Sequence, residues 1–212
     1  MIIAVDGPSA AGKSTAAKLL AKELGIDYID TGAMYRAVAL KVAREKTDPD
    51  DAEALASMLQ RTDVDLVGTK VMLDGDDVSG LIRTEEVSML ASRVSAIPAV
   101  RQKLVALQRE MGARKSVVMD GRDIGSNVFP GADYKFFITA SPEVRAGRRL
   151  KELIERGEDA NYEEVLEDVK KRDHDDSTRA LNPLVQTDDA ILIVTDDLEI
   201  EDVLKVTLNY LQ

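Results

Sequence analysis

The chain opens on an apolar run, Met1-Ile2-Ile3-Ala4-Val5, that ends in Asp6 and passes without a spacer into Gly7-Pro8-Ser9-Ala10-Ala11-Gly12-Lys13-Ser14-Thr15. Glycines at this spacing let the backbone curl until several N–H groups point at one anion. A helix starting behind the second glycine adds its positive end. The pattern fits G-x-x-x-x-G-K-[ST], in which the lysine reaches the outer phosphates and the serine hydroxyl can ligate Mg²⁺. A chance glycine-rich turn is the alternative. The strand-like run before it and the helical pattern after it weigh against that, because the motif requires both.

The remainder of the chain repeats the strand-then-helix rhythm. A helix is expected from about Lys13 to Leu24, a strand at 26–30, helices at 33–44 and 50–60, and a half-buried strand at 63–67. Val71-Met72-Leu73 before Asp74-Gly75 reads as hairpin material. Helical patterns at 84–95 and 99–112 are separated by Pro98. Val117-Val118-Met119 and Lys135-Phe136-Phe137-Ile138 read as short buried strands. Ser141-Pro142-Glu143 reads as a helix start, with serine as N-cap and proline in the first turn. Helices to about 156 and over 161–175, a strand at 191–194 and a helix at 199–211 complete the map. Continuous apolar strands separated by helices predict an α/β fold with a parallel sheet covered on both faces. Residues 62–97 break the rhythm and are expected to form a small inserted subdomain.

Composition removes several function classes. The 212 residues include no cysteine and a single histidine, His174, so disulfides, thiolate zinc sites and cysteine nucleophiles are excluded. The absence of cysteine is compatible with a cytoplasmic setting, and the N-terminal run lacks the basic region of a signal peptide. A formal charge of −11 disfavours nucleic acid and anionic membrane as partners, since both demand a positive surface. No apolar stretch approaches the roughly 20 residues of a membrane span. His174, in a run of carboxylates, is expected on an exposed helix face. The methionines are expected as core filler, and Asp48–Asp51 as a turn and helix start.

Against that acidity the arginines stand out. Ten of the 15 lie between Arg101 and Arg179. Arginine is the planar, bidentate partner of phosphate, so the concentration suggests a site for two anions. Arg145, Arg148 and Arg149 fall on one helical face, as do Arg172, Asp176 and Arg179. A solvated face of ordinary ion pairs is the alternative in each case. Asp120-Gly121-Arg122-Asp123 follows an apolar strand, where an acid holding Mg²⁺ would sit, although an Asp-Gly turn has the same composition. Asp30-Thr31-Gly32-Ala33-Met34-Tyr35-Arg36 would bring Thr31, Tyr35 and Arg36 to the same rim, unless it is only a helix cap. A guanine-reading N-K-x-D is absent, which weighs against a GTPase switch. The chain is also short for a motor ATPase.

These motifs, in this order, resemble the bacterial-type cytidylate kinases among the nucleoside monophosphate kinases. The resemblance rests on I-A-V-D-G-P-S-A-A-G-K-S-T, D-T-G-A-M-Y-R, G-x-x-V-S-G-x-I-R-T-x-E-V at 75–87, I-P-A-V-R at 97–101, D-G-R-D-I-G at 120–125 and R-D-x-x-D-x-x-R at 172–179. It implies a P-loop NTPase three-layer fold, with a core of 1–61 and 98–212. It also implies a monophosphate-binding subdomain at 62–97 and a helical lid near 145–160. The implied reaction is phosphoryl transfer from Mg²⁺·ATP to CMP or dCMP by a cytoplasmic monomer.

By matching positions, Ser92, Arg101 and Asp123 would read the cytosine. Tyr35, Arg172 and Asp176 would hold the sugar and its surroundings, and Arg36, Arg122 and Arg179 the acceptor phosphate. Thr31 stands where many members carry serine. The implied catalytic set is Lys13, Asp120, Arg122, Arg149, Arg172 and Arg179. Gly7 through Thr15 (Pro8, Ser9, Ala10, Ala11, Gly12, Lys13 and Ser14 between them) and Arg148 would hold the donor, with Ser14 and Asp120 on the metal. Ala10 replaces a glycine found in many members, and the loop is expected to tolerate it. Kinases of UMP, AMP or a non-nucleotide acceptor, a non-catalytic nucleotide-binding regulator and a nucleic-acid binder remain alternatives at this point.

Overall fold

The computed structural model describes residues 1–211. Its contacts divide the chain into two compact units. One is Met1–Tyr28 with the chain from Lys115 onward, and the other is Ile29–Arg114.

A five-stranded sheet orders β1 (Ile2–Asp6), β2 (Asp27–Asp30, its last two residues counted with the second unit), β6 (Val117–Gly121), β7 (Tyr134–Thr139) and β8 (Ile191–Val194) as β2-β6-β1-β7-β8. The pairings of β1 with β6 and β7, and of β7 with β8, are parallel. Alternation fixes what each face does. Ile3 and Val5, Val118, Phe136 and Ile138, and Ile193 point to one side. There they pack with Ala16, Ala17, Leu20 and Ala21 of α1 (Lys13–Leu24) and Val203 of α8 (Ile200–Asn209). The register sets Val5 beside Asp120 and Asp6 beside Gly121, so the strand ends carrying the polar motifs share one rim. Such a rim, at the carboxyl ends of parallel strands, is where α/β sheets bind ligands.

Helices α6 (Pro142–Glu155) and α7 (Tyr162–Thr178) pack together through a separate apolar cluster of Ala146, Leu153, Val165 and Val169. The expected start of α6 is observed, with Ser141 accepting from the Val144 N–H and Pro142 in the first turn.

The second unit centres on α2 (Thr31–Glu45), packed with α4 (Glu85–Ser95) and α5 (Pro98–Arg114); α3 (Ala52–Gln60) packs on α5. A three-stranded antiparallel sheet, β3 (Val64–Val67), β4 (Lys70–Leu73) and β5 (Asp76–Asp77), completes it. Met34, Leu55, Met58, Ile82 and Leu104 are fully enclosed. Lys41, buried on α2, donates to Asp74 Oδ2 at 2.5 Å and to the Arg61 carbonyl at 2.9 Å, so its charge is compensated where it lies. This unit is wider than residues 62–97, because the flanking helices α2, α3 and α5 share its core. Pro98 does not merely break the chain; it begins α5, where a missing N–H is harmless. Met89 departs from the expected core role, at 68% exposed.

Candidate functional site

Residues 7–12 form a backbone cradle. Gly7, Ala10 and Gly12 have φ of +145°, +58° and +83°, so successive N–H groups turn inward as in anion-binding nests. Gly7 is enforced sterically as well, since a Cβ there would lie 1.9 Å from the Ile138 carbonyl oxygen. Ala10 tolerates its left-handed backbone only at a strain of about 1 kcal/mol, which a glycine would not incur. Gly12 caps α1 without a side-chain hydrogen bond, leaving the donors of the first helical turn open to a ligand.

Lys13 is 4% exposed and donates to the Pro8 carbonyl at 2.7 Å. Burial, seconded by Arg122, pulls its pKa down to about 7. Asp120, Asp176 and Asp6 favour the charged form without offsetting this, and a polyanion brought to the cradle would favour it further. The Ser14 hydroxyl donates to Asp120 Oδ2 at 2.5 Å, and the Tyr28 hydroxyl to Asp120 Oδ1 at 3.0 Å. Thus Ser14 and Asp120 do converge beside the cradle. A hydroxyl and a carboxylate suit Mg²⁺, a hard cation that keeps most of its shell from water and phosphate. Among the described residues no group of three or more His, Cys, Asp or Glu could hold an ion unaided.

Next to these, Arg122 Nε binds Asp176 Oδ2 at 2.9 Å, and Arg179 Nη2 binds Asp123 Oδ1 at 3.2 Å. Burial pushes the Asp176 carboxyl up, but the charges of Arg122, Arg172 and Arg179 outweigh it and hold it below the usual carboxylate range. Burial likewise opposes the charge on Arg122, and Asp176 and Asp120 overcome it. Arg122, Asp123, Arg172, Asp176 and Arg179 therefore form one charge network. Asp123 precedes a π-helical turn at Ile124–Val128 that the sequence did not announce; Asp-Gly-Arg-Asp reads there as a metal-holding acid or, alternatively, an Asp-Gly turn.

The arginines of α6 do not act as one face. Arg145 is buried and clamps the Asp173 carboxylate with both terminal nitrogens at 2.8 and 2.5 Å, while its other bonds reach the Ala140 and Ser9 carbonyls. Arg148 holds Thr195 through its hydroxyl and carbonyl, and Thr195 in turn donates to the Ala11 carbonyl. Arg149 pairs with Glu152 at 3.2 Å. A cavity of about 210 Å³ lies beside the cradle, lined by Gly12, Thr15, Arg148, Thr195 and Ile200 among others. Tyr28, Asp173 and Thr195 were missed in the sequence. Only Asp173 carried a signal, its place inside R-D-x-x-D-x-x-R.

In the second unit Asp30 caps α2 by accepting the Ala33 N–H at 2.8 Å and binds Arg36 at 3.1 Å with its other oxygen. Thr31 is the first helical residue, and Asp30 rather than Thr31 is the cap. Arg36 Nε is buried with no partner among the described residues. The Arg101 guanidinium lies 5.8 Å from the centre of the Tyr35 ring and donates to the Ser95 carbonyl. Ser92 is half-buried on α4, one turn before Ser95. Tyr35, Ser92 and Arg101 are thus gathered within this unit.

Comparison with known proteins agrees with this chemistry. The model of the cytidylate kinase family matches residues 3–212. A cytidylate kinase of Caldanaerobacter subterraneus subsp. tengcongensis is 54% identical over 203 residues, 96% of this chain and 91% of that one. A cytidylate kinase of Clostridioides difficile is 48% identical over 209 residues, 99% and 97% of the two chains. Among solved structures, a shikimate kinase of Bacteroides thetaiotaomicron superposes with a TM-score of 0.53 at 13% identity, covering 100% of this chain and 98% of that one; this speaks to the P-loop kinase fold alone. A phosphate cradle with its lysine and acid, an arginine–carboxylate network and near-full-length identity of about half therefore converge: the chain belongs to the cytidylate kinase family of phosphotransferases.

Proposed function

We propose that this chain transfers the γ-phosphoryl of Mg²⁺·ATP to CMP or dCMP, with the roles divided as follows. The cradle of Gly7 to Thr15 binds the donor phosphates, and Lys13 neutralises charge on the transferred group. Arg148 and the cavity beside it hold the rest of the donor. Ser14 and Asp120 would hold Mg²⁺, which would withdraw charge from the donor phosphates. Arg36, Arg122 and Arg179 bind the acceptor phosphate, Ser92, Arg101 and Asp123 read the base, and Tyr35, Arg172 and Asp176 hold the sugar and its surroundings. Thr31 lines the same acceptor region, and Arg149 reaches the phosphates when the α6–α7 lid closes over them.

The acceptor oxygen is already anionic at neutral pH, so no general base and no covalent enzyme intermediate is required. Catalysis is alignment plus neutralisation of two anions that repel each other. The observation that carries this reading is the charge network around Arg122: it joins the Asp120 rim of the cradle to the arginines and carboxylates of α7, as a two-anion reaction demands. Segment 62–97 is assigned to monophosphate binding on the same reading. A cytoplasmic monomer with small-molecule partners, and neither nucleic acid nor membrane, completes it; sizing chromatography checks the monomer.

The test is ADP release from Mg²⁺·ATP with CMP, dCMP, UMP, AMP and GMP offered separately, beside a no-acceptor control. Rapid release with CMP and dCMP and little without acceptor is expected. Equal release in every well would replace the kinase with an ATPase.

A further inference from the structure

Asp6 is the buried carboxylate that the mechanism above leaves unused. It ends β1 immediately before Gly7, yet neither of its oxygens bonds to the cradle. Oδ1 accepts the Ile124 N–H at 2.8 Å and Oδ2 the Gly125 N–H at 2.7 Å, across 118 and 119 residues of sequence. These are the first two amides after Asp123. Held there, they turn the chain leaving β6 into the π-helical turn. The Asp123 carbonyl is then free to accept the Asn127 and Val128 N–H groups, and its carboxylate faces Asn127 Nδ2 at 3.0 Å and Arg179. The turn is fitted closely around this contact. A Cβ on Gly125 would meet Lys135 Cδ at 3.1 Å and Asp6 Oδ2 at 3.4 Å. Lys135 is itself fixed, to Asp189 at 2.6 Å.

We propose that Asp6 is a positioning residue for the acceptor side: by holding the amides of Ile124 and Gly125 it aims Asp123, and so governs recognition of the acceptor base although it adjoins the donor cradle. A carboxylate is needed because one side chain must accept two convergent N–H groups. An asparagine of the same shape has one accepting oxygen and would set its NH₂ against the second amide, leaving a buried donor unsatisfied. The inference rests on the assignment of Asp123 to the base.

The experiment compares wild type, Asp6→Asn, Asp123→Ala and the double variant, measuring KM for CMP, KM for ATP and the CMP/UMP preference. Asp6→Asn is expected to raise KM for CMP and lower the CMP/UMP preference by about tenfold, the consequence of one mispaired buried group. KM for ATP should stay within about twofold of wild type, as should the further change on adding Asp6→Asn to Asp123→Ala. A merely structural role would move both substrates together and add in full to Asp123→Ala, and either result overturns the proposal. A silent Asp6→Asn beside an impaired Asp123→Ala removes the inference and keeps the base reading. A silent Asp123→Ala removes the base reading and the inference with it. Should Asp6→Asn fail to fold, Asp6→Ser removes the carboxylate with a smaller polar side chain and carries the same expectations.

Discussion

Lys13 is charged only reluctantly, because burial and Arg122 hold its pKa near 7 while its ammonium rests on the Pro8 carbonyl. Donor phosphates favour the protonated form. Donor binding should therefore take up protons, and more of them above neutral pH than below it. Calorimetry in two buffers of different ionisation enthalpy reads this directly, and the uptake should vanish in Lys13→Ala, with transfer falling by about two to three orders of magnitude. Buffer-independent heats would remove Lys13 from the donor phosphates. The lysine itself was legible, since spacing between two glycines and a helix defines its role. Tyr28 and Asp6 were not. Their partners lie 92 and 118 residues away, and only the sheet order, with β6 between β2 and β1, brings them within bonding distance.

At the scale of elements, short apolar strands and capped helices were readable because each carries its own period or punctuation. Val117 to Met119 needs no context to be a buried strand, and Ser141-Pro142 states where α6 begins. The π-helical turn was not readable, because its cause is a carboxylate from another strand. Nor was the division of labour on α6, where helical spacing put three arginines on one face and packing gave them three fates. Arg145 is the interior strut of the α6–α7 pair, touching Asp173 of α7 and the Ser9 carbonyl of the cradle. This strut fixes the root of the hairpin, so on the proposed lid reading closure would bend farther out, toward the connection between the helices at 156–161. Arg145→Ala should destabilise the protein by about 3 kcal/mol, as loss of one partner from a buried pair does, and a urea unfolding curve measures it. An unchanged midpoint would return Arg145 to the set of mobile lid arginines.

For the whole molecule, the excess of acid over base sets the response to pH. Asp176 and Asp74 are held below the usual carboxylate range in the fold, in both cases against the cost of burial, by Arg122 in one and by Lys41 in the other. Their stabilisation is complete above the unfolded value of 3.8 and is lost as pH falls through their folded values. Asp6 acts in the opposite sense. Burial lifts it to about 6, so its ionisation opposes folding above that pH and ceases to do so as pH falls toward 3.8. The melting temperature should therefore hold or rise slightly between about pH 7 and 5 and fall steeply below about pH 4, read from thermal scans at constant ionic strength. A monotonic decline from neutrality would mean that Asp6 is not buried as a charge. The acidity behind this was plain in the composition. The extent of the second unit was less so: 62–97 shows itself by a change of rhythm, whereas α2, α3 and α5 look like any amphipathic helices until their shared core is seen.

The missing side chain at Gly7 also limits what variation can do to this protein. The Ile138 carbonyl oxygen occupies the space a β-carbon would need, and that oxygen belongs to the backbone of a central strand, which no neighbouring substitution can shorten. Gly7 is thus a fixed point for any lineage that keeps this sheet. A ligand resting on the backbone here could not be evaded by a side chain at Gly7 itself unless that strand moved.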